Sequence, residues 1–172
     1  MRMASGEGSE TKESTIQLCS VRAGAGLYGI DTRAIREVLG NSVPQQVPLA
    51  PAHIAGVLTY RGEVLEAVSL RTLLGLRVQT NRDRVLVLED SEIGERFGLM
   101  VDEVGGVVSV AENAIERNPI ALDPRGEAFF DGMVQMKTGL MVRLDAKRMR
   151  PLELARTGLF GGDVKPSHAG AG

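Results

Sequence analysis

A single cysteine, Cys19, excludes an internal disulfide, and no CxxC pair or Cys/His cluster offers a thiolate metal site. Tryptophan is absent and aromatics make up 3% of the 172 positions, so the core has to be built from Val, Leu, Ile and Met. Such residues favour strands wherever the β-branched ones cluster. There are only two histidines. His168 falls near the C-terminus. His53 lies between prolines and an apolar run with no partner at ligand or general-base spacing, which reads as a surface or half-buried structural histidine. No apolar run reaches the roughly 18 residues of a membrane helix, and the polar first residues lack the apolar centre of a secretory signal. No basic block stands out against a net charge of −2. With so few aromatics to stack on bases, nucleic acid is not an expected partner. A cytoplasmic protein without direct membrane insertion is expected.

What is present is a chain of many short apolar segments punctuated by Gly and Pro. Residues 1–14 are polar and read as a disordered leader, and residues 158–172 read as a flexible tail. One compact unit is expected between them, over residues 15–157. Strands are expected at 16–22 and 27–30 around the Gly24-Ala25-Gly26 turn. Asp31 reads as an N-cap, with Ala34, Ile35, Val38 and Leu39 at helical spacing and Gly40 as the stop, so a short helix is expected there. Prolines at 44, 48 and 51 break the next stretch, with a single helical turn expected at 52–56. A hairpin follows over 57–60 and 64–68, turning at Arg61-Gly62-Glu63, and then a brief helix over 70–74. Val85-Leu86-Val87-Leu88 reads as a strand buried on both faces. Glu89, Asp90, Glu92 and Glu95 read as a turn, 97–101 and 104–110 as strands, the latter interrupted by Gly105-Gly106. A last hairpin over 133–136 and 140–144 leads to a helix capped by Asp145 and interrupted or restarted at Pro151. Helices long enough for βαβ crossovers are not offered, so an all-β sandwich or barrel is expected.

Two stretches echo each other. Gly56-Val57-Leu58 through Leu70 aligns without gaps onto Gly132-Met133-Val134 through Ala146. A weaker echo joins Tyr28-Gly29-Ile30 to Phe97-Gly98-Leu99. Two explanations stay open: a chance likeness of hairpins, or two similar barrels from a duplicated unit.

Motifs that could carry chemistry fail on context. Gly24-Ala25-Gly26-Leu27-Tyr28-Gly29 fits GxGxxG, but a strand rather than a helix is expected after it, and no acid stands about 20 residues on to hold a ribose. A small nucleotide-cofactor-binding protein therefore remains only an alternative, and no cofactor is expected. Cys19 reads as a small buried apolar residue. The Glu89 to Glu95 run and Asp102-Glu103 lack the alternating oxygen ligands of a calcium loop and read as solvated hairpin tips. A binding role is therefore expected, not catalysis. Arg61 is the residue to single out: at a hairpin turn, a guanidinium sits on a rigid support and can fork onto a carboxylate.

In order and spacing, Tyr28-Gly29-Ile30-Asp31, Glu37-Val38, Val47-Pro48, Ile54-Ala55-Gly56-Val57, Arg61-Gly62 and Val68-Ser69-Leu70-Arg71 resemble the CheW domain. Phe97-Gly98-Leu99-Met100-Val101-Asp102-Glu103-Val104 resembles a second hallmark of that family, and Gly132 with the 140–145 strand a third. Thr59-Tyr60 departs from the common Asn-Leu before the arginine, Ser69 from the usual Asp, and Glu66-Ala67 from a common Pro. The resemblance spans about residues 15–155. It implies two five-stranded, SH3-like β-barrel subdomains packed around a shared core, with a few short helices and no catalysis. It implies an adaptor that couples the cytoplasmic tip of a chemoreceptor to the regulatory domain of a CheA-type histidine kinase, recruited to membrane receptor arrays. The output would be chemotaxis or, alternatively, a non-flagellar array controlling surface motility or gene expression. Carried onto this sequence, the partner-binding positions are Ile35, Glu37, Gly56, Arg61, Gly62 and Val107.

Overall fold

The computed structural model describes residues 14–40, 42–77, 84–117 and 123–160. Most of the expected leader and residues 161–172 of the expected tail lie outside them. Ten strands follow one another: β1 (Thr15–Ala23), β2 (Gly26–Asp31), β3 (Ile35–Leu39), β4 (Ile54–Tyr60), β5 (Glu63–Ser69), β6 (Arg84–Asp90), β7 (Glu95–Val101), β8 (Glu103–Ala111), β9 (Phe130–Met136) and β10 (Gly139–Leu144). Three short helices are interspersed: α1 (Leu70–Leu73), α2 (Pro124–Phe129) and α3 (Pro151–Thr157). The strands form two five-stranded sheets, ordered β8-β1-β2-β10-β9 and β3-β6-β7-β5-β4.

Those two orders are the same order. Each strand of the first half has its counterpart five strands later, and each sheet takes two strands from one half and three from the other. The parallel pairs agree in register as well. Gly29 lies opposite Arg143 and Ile30 opposite Leu144, just as Gly98 lies opposite Ala67 and Leu99 opposite Val68. Both sequence echoes fall on these equivalent places, so the echo marks two topologically identical units and not a chance likeness of hairpins.

Each sheet curls toward a barrel without closing, and one isolated bridge spans each seam. In the second sheet, Gln45, beyond β3, exchanges two 2.8 Å backbone hydrogen bonds with Val57 on β4. In the first, Glu116, beyond β8, exchanges bonds of 2.9 and 2.8 Å with Met133 on β9. The two subdomains are SH3-like in this sense, and three apolar clusters fill them. Ile16, Leu18, Val110, Val134 and Met141 fill the first barrel. Leu58, Tyr60, Leu65, Ala67, Val85 and Val87 fill the second. The shared core between the sheets includes Val21, Ile30, Leu86, Leu88, Phe97 and Leu99. Strand β6 shows how the period of two serves this plan. Val85 and Val87 enter the second barrel while Leu86 and Leu88 enter the shared core, and all four are fully buried. The strand expected to be buried on both faces is so because it divides two cores.

Several expectations need correction. The helix expected over 31–39 is a 3-10 turn, Thr32–Ala34, followed by strand β3. The Asp31 carboxylate does cap that turn, accepting from Arg33 N at 2.9 Å, but only three residues follow it in helical form. Ile35, Glu37 and Leu39 are half-buried while Arg36 and Val38 are exposed, and this alternation against β6 prevails over the helical spacing. No helical turn forms at 52–56; β4 starts at Ile54. Strand β8 is a single strand, and the expected interruption at Gly105-Gly106 is a bulge: its pairing with β1 slips between Val104 opposite Val21 and Val107 opposite Cys19, leaving the two glycines against Ser20. A Cβ at Gly105 would overlap Ser20 Oγ, the hydroxyl that donates to the Gly106 carbonyl at 3.0 Å. Glu89 and Asp90 end β6 and Glu95 begins β7, leaving only 91–94 as the turn. His53 is buried, its ring edge-on to Phe160, with Nδ1 3.4 Å from the Phe160 carbonyl. Phe160 is itself buried in the shared core against Phe129, so the tail reading does not extend to it. Helix α2 was not anticipated, although Asp123-Pro124 is an ordinary opening: the Asp123 carboxylate accepts from Arg125 N at 2.8 Å, and proline takes the first helical turn.

Candidate docking site at the barrel seam

Strands β3 and β4 are the two edges of the second sheet, and the curl brings them face to face. Across the gap Glu37 on β3 meets the β4–β5 turn. Tyr60 donates its hydroxyl to Glu37 Oε1 at 2.9 Å, and Arg61 Nη2 donates to the same oxygen at 3.1 Å. These two donors hold the Glu37 carboxyl below the usual carboxylate range, Tyr60 contributing first. The Arg61 guanidinium carbon also lies 5.4 Å from the Tyr60 ring centroid. The arginine side chain is 74% exposed and that of Glu37 39%. A guanidinium and a carboxylate thus stand side by side on the surface, open to a partner with the complementary pair.

The turn itself is strained toward this end. Arg61 has φ +49° and Gly62 φ +81°, both in the left-handed region that two-residue hairpin turns of this hand require. Glycine or asparagine suits the first of these positions better than arginine, so the arginine is kept at some cost to the turn. The other end of the turn is fastened too, because Glu63 pairs with Arg96 Nη1 at 2.7 Å, and Arg96 Nε reaches Glu89 at 2.7 Å.

Of the six expected contact residues, Glu37, Arg61 and Gly62 are therefore brought together. Ile35 lies on the same edge strand, half-buried against the shared core. Gly56 is buried on β4 at φ +153°, and a Cβ there would overlap the Gln45 carbonyl oxygen and lie 2.7 Å from its carbon. Its place in the fold is to let the seam bridge form. Val107 is 56% exposed, but on β8, the edge of the other sheet.

The ordered motifs on this frame match a known domain: the family model described as a CheW-like domain covers residues 17–151. The chain belongs to the CheW-like family. It is 24% identical over 145 residues to a chemotaxis protein CheW of Treponema pallidum, spanning 80% of this chain and 83% of that protein. A CheW of Bacillus subtilis is 25% identical over 132 residues, spanning 76% and 83%. The crystal structure of the scaffolding protein TtCheW from Thermoanaerobacter tengcongensis shares the fold, with a TM-score of 0.69 at 24% identity over 77% of this chain and 90% of that one.

The remaining CheW-like hallmarks have structural duties here. Ser69 Oγ accepts from Thr72 N at 3.2 Å and caps α1. Asp102 is no solvated tip. It takes a fork from Arg71, both bonds at 2.7 Å, and a third bond from Gly24 N at 2.8 Å. Burial raises its pKa, but the hydrogen bonds from Arg71 and Gly24 outweigh that and hold it low. One carboxylate thereby ties α1 to the β1–β2 turn of the other sheet. That turn contains the glycine run, which leads into β2 and not into a helix, so the dinucleotide geometry is absent. Tyr60 is the site residue that sequence reasoning missed. Its signal was a polar-tipped aromatic in place of a common leucine, immediately before the arginine.

Proposed function

We propose that the chain is a non-enzymatic scaffold that couples the cytoplasmic tip of a chemoreceptor to the regulatory domain of a CheA-type histidine kinase. The surface pair of Glu37 and Arg61 serves as its receptor contact. The observation that carries this is their meeting, 24 residues apart in sequence, on the open edge of a CheW-like barrel. Ile35 and Gly62 flank the pair, and Gly56 supports it through the seam. Val107 belongs to a separate contact on the first barrel. Membership in a family whose named relatives are chemotaxis and scaffolding proteins supports a coupling role over a catalytic one. Among the described residues no helix is long and apolar enough to cross a membrane.

A receptor cytoplasmic hairpin fragment and a kinase regulatory domain, each titrated against the full chain, test this. Arg61→Ala is expected to weaken the receptor fragment by about 10- to 150-fold, the range of a lost charge-assisted hydrogen bond, and to leave the kinase domain unchanged. Arg61→Lys recovers only part, because an ammonium keeps the charge without the fork. Equal affinity of wild type and Arg61→Ala for the receptor fragment would remove the pair from the contact.

A further inference from the structure

We propose that Tyr60 is a positioning residue of this docking site, setting the Glu37–Arg61 pair from inside the second barrel. This deepens the receptor-contact reading and rests on it. Tyr60 is only 8% exposed and packs in the barrel cluster with Leu58, Leu65 and Val87. A buried tyrosine ring has few ways to move, so whatever its tip and face hold is held firmly. Its tip holds Glu37 Oε1 and its face lies under the Arg61 guanidinium. The flexible arginine is thereby fixed at two points, its carboxylate partner and an aromatic surface, both supplied by or through one residue.

Both donors converge on Oε1, so Glu37 Oε2 has no partner among the described residues. Arg61 likewise spends one of its nitrogens on the pair. The site therefore offers one acceptor and a set of N–H donors in fixed relation. The partner chemistry it fits is a carboxylate adjacent to an amide or hydroxyl donor. Ordering both side chains before contact lowers the entropy lost on binding, which is how a residue that touches no partner raises affinity.

Tyr60→Phe isolates the hydroxyl, since the ring still fills the barrel and still faces Arg61. The receptor fragment is expected to bind this variant about 3- to 10-fold more weakly, the span of one ordinary hydrogen bond. In a background lacking both groups that it sets, Glu37→Ala with Arg61→Ala, the same substitution is expected to change affinity by less than about 2-fold, because residues acting through one another are not additive. A role in stability alone would weaken binding equally in both backgrounds, and that result overturns the proposal. Unchanged affinity on Tyr60→Phe overturns it too. A second readout needs no partner: 15N relaxation of the Arg61 side-chain Nε–H is expected to show a lower order parameter in Tyr60→Phe. Glu37→Gln, which leaves the barrel core untouched, is expected to lower it as well. Unchanged Arg61 order in both variants rejects the positioning role. If wild type fails to bind any receptor fragment while Arg61 order still falls, the coupling reading fails and the positioning stands.

Discussion

Replacing Gly56 by alanine separates a structural residue from a contact residue. The new Cβ would overlap the Gln45 carbonyl oxygen, and backbone cannot swing away as a side-chain end can. The seam bridge must open, losing the two hydrogen bonds between Gln45 and Val57. At about 0.5–1.5 kcal/mol each, these contribute about 1–3 kcal/mol. Holding a residue with a side chain at φ +153° adds strain, of order 1–3 kcal/mol for such conformations. The expected loss is therefore roughly 2–6 kcal/mol, a large part of the 5–15 kcal/mol that holds an ordinary domain together. Gly132→Ala, at the equivalent seam of the first barrel, is the matched test. Its Cβ would overlap the movable Ile115 Cγ2 and lie 3.2 Å from the Glu116 oxygen, at φ +106°. A loss of about 1–3 kcal/mol, mostly strain, is expected there. Gly106→Ala is the control, with nothing within 4 Å, and should stay within about 0.5 kcal/mol of wild type. Urea denaturation followed by circular dichroism reads all three, provided the slope with denaturant is unchanged. If Gly56→Ala unfolds within 0.5 kcal/mol of wild type (the control's range) yet binds its partner more weakly, Gly56 is a contact and the seam argument is wrong.

Truncation before Phe160 removes a buried aromatic from the shared core, so it should cost about 2–4 kcal/mol, near the lower end for Phe-to-Ala changes; an unchanged melting temperature would contradict the packing. Burial, only partly offset by the Phe160 carbonyl, holds the His53 imidazole below its ordinary value. The unfolded chain therefore takes up that proton first. The His53 contribution is complete above about pH 6.5 and is lost as pH falls through that value toward the lower folded one. His53→Gln should flatten the stability profile between about pH 7 and 5, and an unaltered slope would show that another group titrates there.

The strands were legible because alternation and Gly/Pro punctuation are local, and the echo around Gly56 and Gly132 pointed to two equivalent units. Residues 31–39 misled because Ala34, Ile35, Val38 and Leu39 satisfy a helical spacing, whereas pairing with β6, which decides the outcome, is distant in sequence. Phe160 was missed because one aromatic among glycines gives no periodic signal, and its partners Phe129 and His53 are remote. Of the candidate docking site, Arg61 stood out locally as a guanidinium on a hairpin turn, and the other positions came only through resemblance. Nothing local to Glu37 or Arg61 says that two edge strands curl until these side chains touch. Nor does the local sequence say that Tyr60 lies beneath them, or that Gly56 is spent on the seam.

Coupling is the central claim, and sedimentation velocity of three components tests it most directly. A receptor cytoplasmic fragment and a kinase regulatory domain should sediment separately until the full chain is added, and then together as a ternary species. With Arg61→Ala the kinase domain should remain bound while the receptor fragment returns to its free position. No ternary species with the wild-type chain, or one that Arg61→Ala leaves intact, would contradict the account.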